Sequence, residues 1–185
     1  MRVTFIKVDD KRYSVAIERK HGPALVPRPG PGYDDLMPHD LAHYLVAECF
    51  EIELGVWGQL AAGGGGIFAP SPQDNTLNTQ RRAKRIAEIG RADMRRSEQL
   101  VVVTVSAWER SINRVKHQTR EFRIDADPDT LKGAVGRMDE VARRWQALQH
   151  GASLTFTWPS HLTFEASNSR RGRRAARRPR PLARR

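Results

Sequence analysis

The stretch DPDTLKGAVGRMDEVARRWQALQHGASLTFTW, residues 127–158, decides the fold class. Asp127 followed by Pro128 is a helix start, because proline at the first helical position loses only an N–H that has no partner there. Leu131, Val135, Met138, Val141, Trp145 and Leu148 then recur every three or four residues, which places them on one face of a helix. Gly151 supplies the stop. Immediately beyond it Leu154, Phe156 and Trp158 alternate with polar residues, the period of a half-buried strand over 153–158. An amphipathic helix running straight into a strand predicts an α+β fold.

Outward from this stretch, the N-terminus repeats the strand signal. Val3 and Phe5 alternate, with Val8 ending the run, and Tyr13, Val15 and Ile17 alternate after the polar turn Asp9-Asp10-Lys11. Two such runs make a β-hairpin. Ala24–Val26 is expected as a third short strand, confined to an edge by the prolines around it, with 28–32 as a loop. Leu162–Phe164 is expected to return against residues 153–158. The expected architecture is a small antiparallel sheet, N-terminal hairpin plus C-terminal strand, packed against three or four helices. It fills one domain over 1–166, followed by a disordered arginine-rich tail at 167–185.

Between the sheet segments the pattern is helical. Pro38 opens a helix at its first position, with Asp40 in the first turn complementing the helix dipole. Leu41, Ala42, Leu45, Val46 and Cys49 form its apolar stripe, and it ends near Glu51. Gly55–Ala62 reads as a second helix with Trp57 and Leu60 inward. Gly63–Gly66 reads as a flexible connector, without the Gly-Lys-Ser/Thr of a phosphate-binding loop, and Ile67–Thr79 as a mobile surface loop. From Asn78 to Trp108 only Gly90 interrupts. Val101–Val105 is β-branched and fits a strand, but the breaker-free run favours a helix ending near Arg110.

The chain has 185 residues and a net charge of +11. Residues 169–185 carry nine arginines and no acid, so removing them leaves about +2 on residues 1–168. Arg170, Arg171, Arg173, Arg174, Arg177 and Arg178 in this tail suit nonspecific contact with nucleic-acid phosphates. No aromatic residue there offers base stacking, and a solvated terminus with no specific partner is the competing reading. The stretch Arg81, Arg82, Lys84, Arg85, Arg91, Arg95 and Arg96 is basic as well, but Glu88, Asp93 and Glu98 among them suggest an ordinary exposed surface. No run reaches the roughly 18 apolar residues of a membrane span, and no secretory h-region is present. The single Cys49 cannot form an internal disulfide and reads as a packed thiol. These features predict a reducing, cytoplasmic setting.

One constellation carries chemistry. His39 and His43 are four residues apart on the predicted helix, so their imidazoles share a face one turn apart. Two such nitrogens can bind one divalent metal such as zinc, leaving positions for a third ligand and water. Glu48 is the candidate third ligand, with Glu51, Glu53, His21, His117 and His161 as further donors. Asp40 occupies the place that a water-activating glutamate takes in His-Glu-x-x-His proteases, which makes it the candidate catalytic residue. The competing reading is that Pro38, His39 and Asp40 merely begin a helix.

His39-Asp40-Leu41-Ala42-His43, with Leu54-Gly55 beyond it, resembles the His-Asp-x-x-His segment of a zinc protein family of ubiquinone biosynthesis. That likeness covers about twenty residues, and Gly55 and Val56 stand where the family has its glutamate ligand. The wider Met37–Tyr44 resembles a group of small bacterial proteins without assigned function. Two functional expectations result. One is a divalent-metal-binding domain, with hydrolysis as the reaction such a site serves. The other is a non-catalytic module that binds nucleic acid or protein through basic surfaces.

Overall fold

Alternation at the N-terminus builds the middle of the sheet. The computed structural model describes residues 1–30, 36–114 and 126–164. Within them β1 (Arg2–Lys7) and β2 (Tyr13–Glu18) pair antiparallel, with Val3 opposite Ile17 and Phe5 opposite Val15. Asp9 shapes the turn by accepting from the backbone N–H groups of Lys11 and Arg12 at 2.9 and 2.8 Å. β3 is only Arg28–Pro29, paired to the outer side of β2. β4 (Ser153–Thr157) pairs antiparallel with the other side of β1, placing Leu154 opposite Phe5. The order is therefore β3-β2-β1-β4, an antiparallel sheet as expected from the sequence.

Two strand expectations are corrected. The third strand forms at Arg28–Pro29 and not at Ala24–Val26, where Leu25 makes an isolated bridge to Pro70. Pro29 has no N–H to give a ladder, which suits it to so short an edge. Residues 162–164 do not return as a strand. The chain turns at Pro159 into a 3-10 turn, Ser160–Leu162, and the Leu162 carbonyl accepts from the Trp158 indole N–H at 3.2 Å.

The helices α1 (His39–Cys49), α2 (Val56–Ala61), α3 (Leu77–Ile89), α4 (Arg91–Ser111) and α5 (Pro128–Gln146) complete the described fold. Val101–Val105 is helical, as the breaker-free run predicts. It lies inside α4, whose buried Leu100, Val101, Thr104 and Trp108 keep helical spacing. The expected continuous helix from Asn78 is instead two helices meeting at Gly90. A Cβ at Gly90 would lie 2.7 Å from the Leu54 carbonyl oxygen, so only glycine lets the elbow approach α2. α5 starts where expected, with the Asp127 carboxylate accepting from the Thr130 N–H at 2.8 Å.

The core lies between the sheet and α1, which packs in turn against α4 and α5. Phe5 stands at its centre, with ring centroids 5.7 Å from Trp57 and 6.0 Å from Phe156. All four tryptophans are buried. On the opposite face of the sheet, Thr4 and Thr155 share a hydrogen bond of 3.0 Å. Lys7 is buried on the inner side, where its Nζ donates to the carbonyls of Gln146 and Leu148 at 3.3 and 3.1 Å. It thus satisfies orphan carbonyls at the end of α5.

The segment from Gly63 onward is anchored to the fold. Arg19 donates to the carbonyls of Pro23, Leu60 and Gly64, and Arg82 to that of Ala62. Phe68 is buried, and Asp74 accepts from the Ala24 N–H at 3.0 Å. Helix α3 then begins at Leu77, capped by Thr76 and Thr79, within what the sequence suggested was loop. No helix among the described residues is long and apolar enough to cross a membrane. The expected tail at 167–185 and His117 lie outside the described residues.

Candidate metal centre

Helix α1 starts one residue later than its proline. Pro38 is the N-cap, with φ −55° and ψ 135°, and makes no side-chain cap. The substitute comes from the sheet: the Asp40 backbone N–H donates to the Tyr13 hydroxyl at 3.2 Å. Burial, followed by the nearby Asp40 charge, raises the Tyr13 phenol far above its ordinary value. Because α1 is covered by the sheet, α4 and α5, even Asp40 and His43 are almost wholly enclosed, at 5% and 6% exposure.

His39 and His43 converge. Their Nε2 atoms are 3.2 Å apart, with ring centroids at 4.5 Å and planes tilted by 52°. Helical spacing alone allows this; the environment of each ring determines its state. His39 Nδ1 lies 3.5 Å from Asp40 Oδ1, and this contact raises the His39 pKa against an opposing effect of burial. His43 is buried more deeply, and its pKa is lowered first by that desolvation and next by the charge of His39. One ring of the pair therefore favours the proton and the other resists it.

Glu98 of α4 approaches the pair from the other side, its Oε1 3.9 Å from His43 Nδ1. That is beyond hydrogen-bond reach, and His43 Nδ1 is buried without a hydrogen-bond partner among the described residues. Asp40 is occupied elsewhere as well. Its Oδ2 accepts from Arg28 Nη2 at 2.7 Å, and the Arg28 guanidinium lies 4.9 Å from the centre of the Phe68 ring. A cavity of about 280 Å³ borders His39, walled by Met37, Ala42, Val101, Val105 and Trp108 among others.

The structure thus brings together His39, Asp40 and His43 of the predicted residues. Glu48 is not with them. It follows His43 by five residues, about 140° further round a helix. There burial raises its pKa while Arg137 of α5 lowers it. Glu51 lies 3.8 Å from His161, away from the pair, and His150 pairs with Asp10 at 3.0 Å. Among the described residues no group of three or more His, Cys, Asp or Glu side chains is placed to hold a metal ion. Half-buried Cys49 has its thiol pKa raised by burial, which disfavours the nucleophilic thiolate. Arg28 and Glu98 were missed in the sequence. Arg28 sits in a proline-rich run, and the register that brings Glu98 to α1 is set only by helix packing.

Compared with family models, curated proteins and solved structures, the chain matches none.

Proposed function

We propose that His39 and His43 bind one divalent metal ion of the zinc type through their Nε2 atoms. The observation that carries this is the Nε2–Nε2 distance of 3.2 Å. Two nitrogens on a tetrahedral ion, each at 2.0–2.1 Å, stand about 3.3–3.4 Å apart, close to the separation of these two rings. Asp40 supports the reading from behind. A carboxylate at His39 Nδ1 orients that imidazole and leaves Nε2 for the ion, the usual outer-shell arrangement. The remaining positions go to water or to a ligand entering from the cavity beside His39. In this reading Asp40 positions His39, and the Arg28 contact keeps its carboxylate turned from the ion. A hydrolytic role then falls to whatever occupies the open positions.

Titrating the full chain with zinc by calorimetry tests the proposal. One ion should bind per chain. His39→Ala and His43→Ala should each weaken binding at least about tenfold, with circular dichroism unchanged. Binding should release protons and weaken as pH falls through the raised pKa of His39, because both rings must be neutral to ligate. Stoichiometric binding that survives the double substitution, or no binding at near-millimolar zinc, overturns it.

A further inference from the structure

The elbow of α3 and α4 holds a concentration of exposed positive charge. Arg81, Lys84, Arg85, Arg91, Arg95 and Arg96 are all exposed, and none makes an ion pair with another described residue. Three acids share the stretch. Asp93 accepts from the Leu54 backbone N–H at 2.9 Å, tying the elbow to the segment that leads into α2. Glu88 and Glu98 are exposed, so the six exposed cations face two exposed acids. Gly90 fixes the junction, since the Leu54 carbonyl leaves no room for a Cβ.

We propose that this elbow binds the phosphate backbone of a nucleic-acid duplex. Arginine, five of the six cations here, matches phosphate with a planar fork of donors. On a helix, Arg81 and Arg85 lie about 6 Å apart along the axis, as do Arg91 and Arg95. That spacing is comparable to successive phosphates of one strand. Residues 77–99 contain no aromatic side chain, so the face has nothing on which to stack unpaired bases, and a double-stranded partner is favoured. An anionic membrane is the other polyanion to consider. The exposed apolar residues of α3, Leu77 and Ile89, stand at its two ends, about 18 Å apart, and give no continuous apolar stripe to insert. The cations of the elbow ride on helices whose junction is fixed by Gly90 and Asp93.

The test uses the full chain, a fluorescent mixed-sequence DNA duplex of about 24 base pairs and a series of salt concentrations. The variant Arg81→Gln/Arg85→Gln/Arg91→Gln/Arg95→Gln keeps the tail and good helix formers. It should weaken binding at least about tenfold and reduce the slope of log K against log salt by about 3.6. Should that variant fail to fold by circular dichroism, Arg85→Gln/Arg91→Gln is measured instead, with a slope smaller by about two. An unchanged affinity and slope in a folded variant places binding in the tail and overturns the proposal. So does a wild-type chain that binds phosphatidylserine vesicles and not the duplex, or one that binds neither.

Discussion

The Asp40 carboxylate accepts from the Arg28 guanidinium at 2.7 Å, joining the head of α1 to the two-residue strand at the sheet edge. The carboxylate is almost fully enclosed and the guanidinium largely so. Losing either partner leaves a charge without its counterion in a poorly solvated place. Asp40→Leu and Arg28→Met should each destabilise by about 3 kcal/mol. Arg28→Met with Asp40→Leu should recover most of the loss. Urea denaturation of the four proteins yields the coupling energy, and additive single effects would contradict a direct pair.

The two imidazoles should titrate apart. His39 is raised by Asp40 and His43 is lowered by burial, so NMR should find His39 changing charge above about 6.5 and His43 below it. The signs for stability are opposite. His39 contributes stability that is present below its unfolded pKa and lost as pH rises through its folded value. His43 contributes stability present above its unfolded pKa and lost as pH falls toward its folded value. His39→Gln should therefore make the protein more acid-sensitive, and His43→Gln less so. A single shared titration midpoint in both rings argues against this assignment.

Lys7 is predicted to be a structural cation. Its ammonium is enclosed and donates to the Gln146 and Leu148 carbonyls at the end of α5. Lys7→Met keeps the apolar stem and removes the donor, and it should cost about 1–2 kcal/mol. Amide exchange should show the loss as fraying of the last turn of α5. Unchanged exchange there means the carbonyls find other partners.

Glycines of this chain divide by what surrounds them. Gly133 and Gly136 lie in the interior of α5 with nothing within 4 Å of an added Cβ. Replacing each by alanine should stabilise by about 0.5–1 kcal/mol. Gly90→Ala should destabilise instead, because backbone and side-chain atoms lie 2.7–2.9 Å from the new carbon. Thermal melts of the three variants check the contrast, and a stabilised Gly90→Ala would show that the elbow can open freely.

Sequence periodicity carried the sheet core and α5 because each depends on one local repeat. Phe5, Val15 and Phe156 face inward as their alternation requires, and Met138 and Trp145 are buried as their spacing requires. Elements whose limits depend on contact with distant backbone were less legible. Gly90 looks like a tolerable helix glycine until Leu54 is seen against it. Arg28 belongs to a strand only because β2 is there to pair with it. At the candidate site, the convergence of His39 and His43 follows from spacing within one helix. The displacement of Glu48 follows from spacing too, since five residues carry it about 140° round the same helix. Asp40 facing Arg28 and Glu98 near His43 depend on how two helices and a sheet edge assemble.

Strand β1 has β2 on one side and β4 on the other, and the second partner is about 150 residues away in the chain. Loop closure over that separation is a late and slow event. On a ribosome, the hairpin and α1–α5 must therefore emerge with one margin of β1 still bare. A bare margin is a template for any strand that drifts by. Nascent chains stalled before Ser153 should therefore be prime clients of chaperones and proteases.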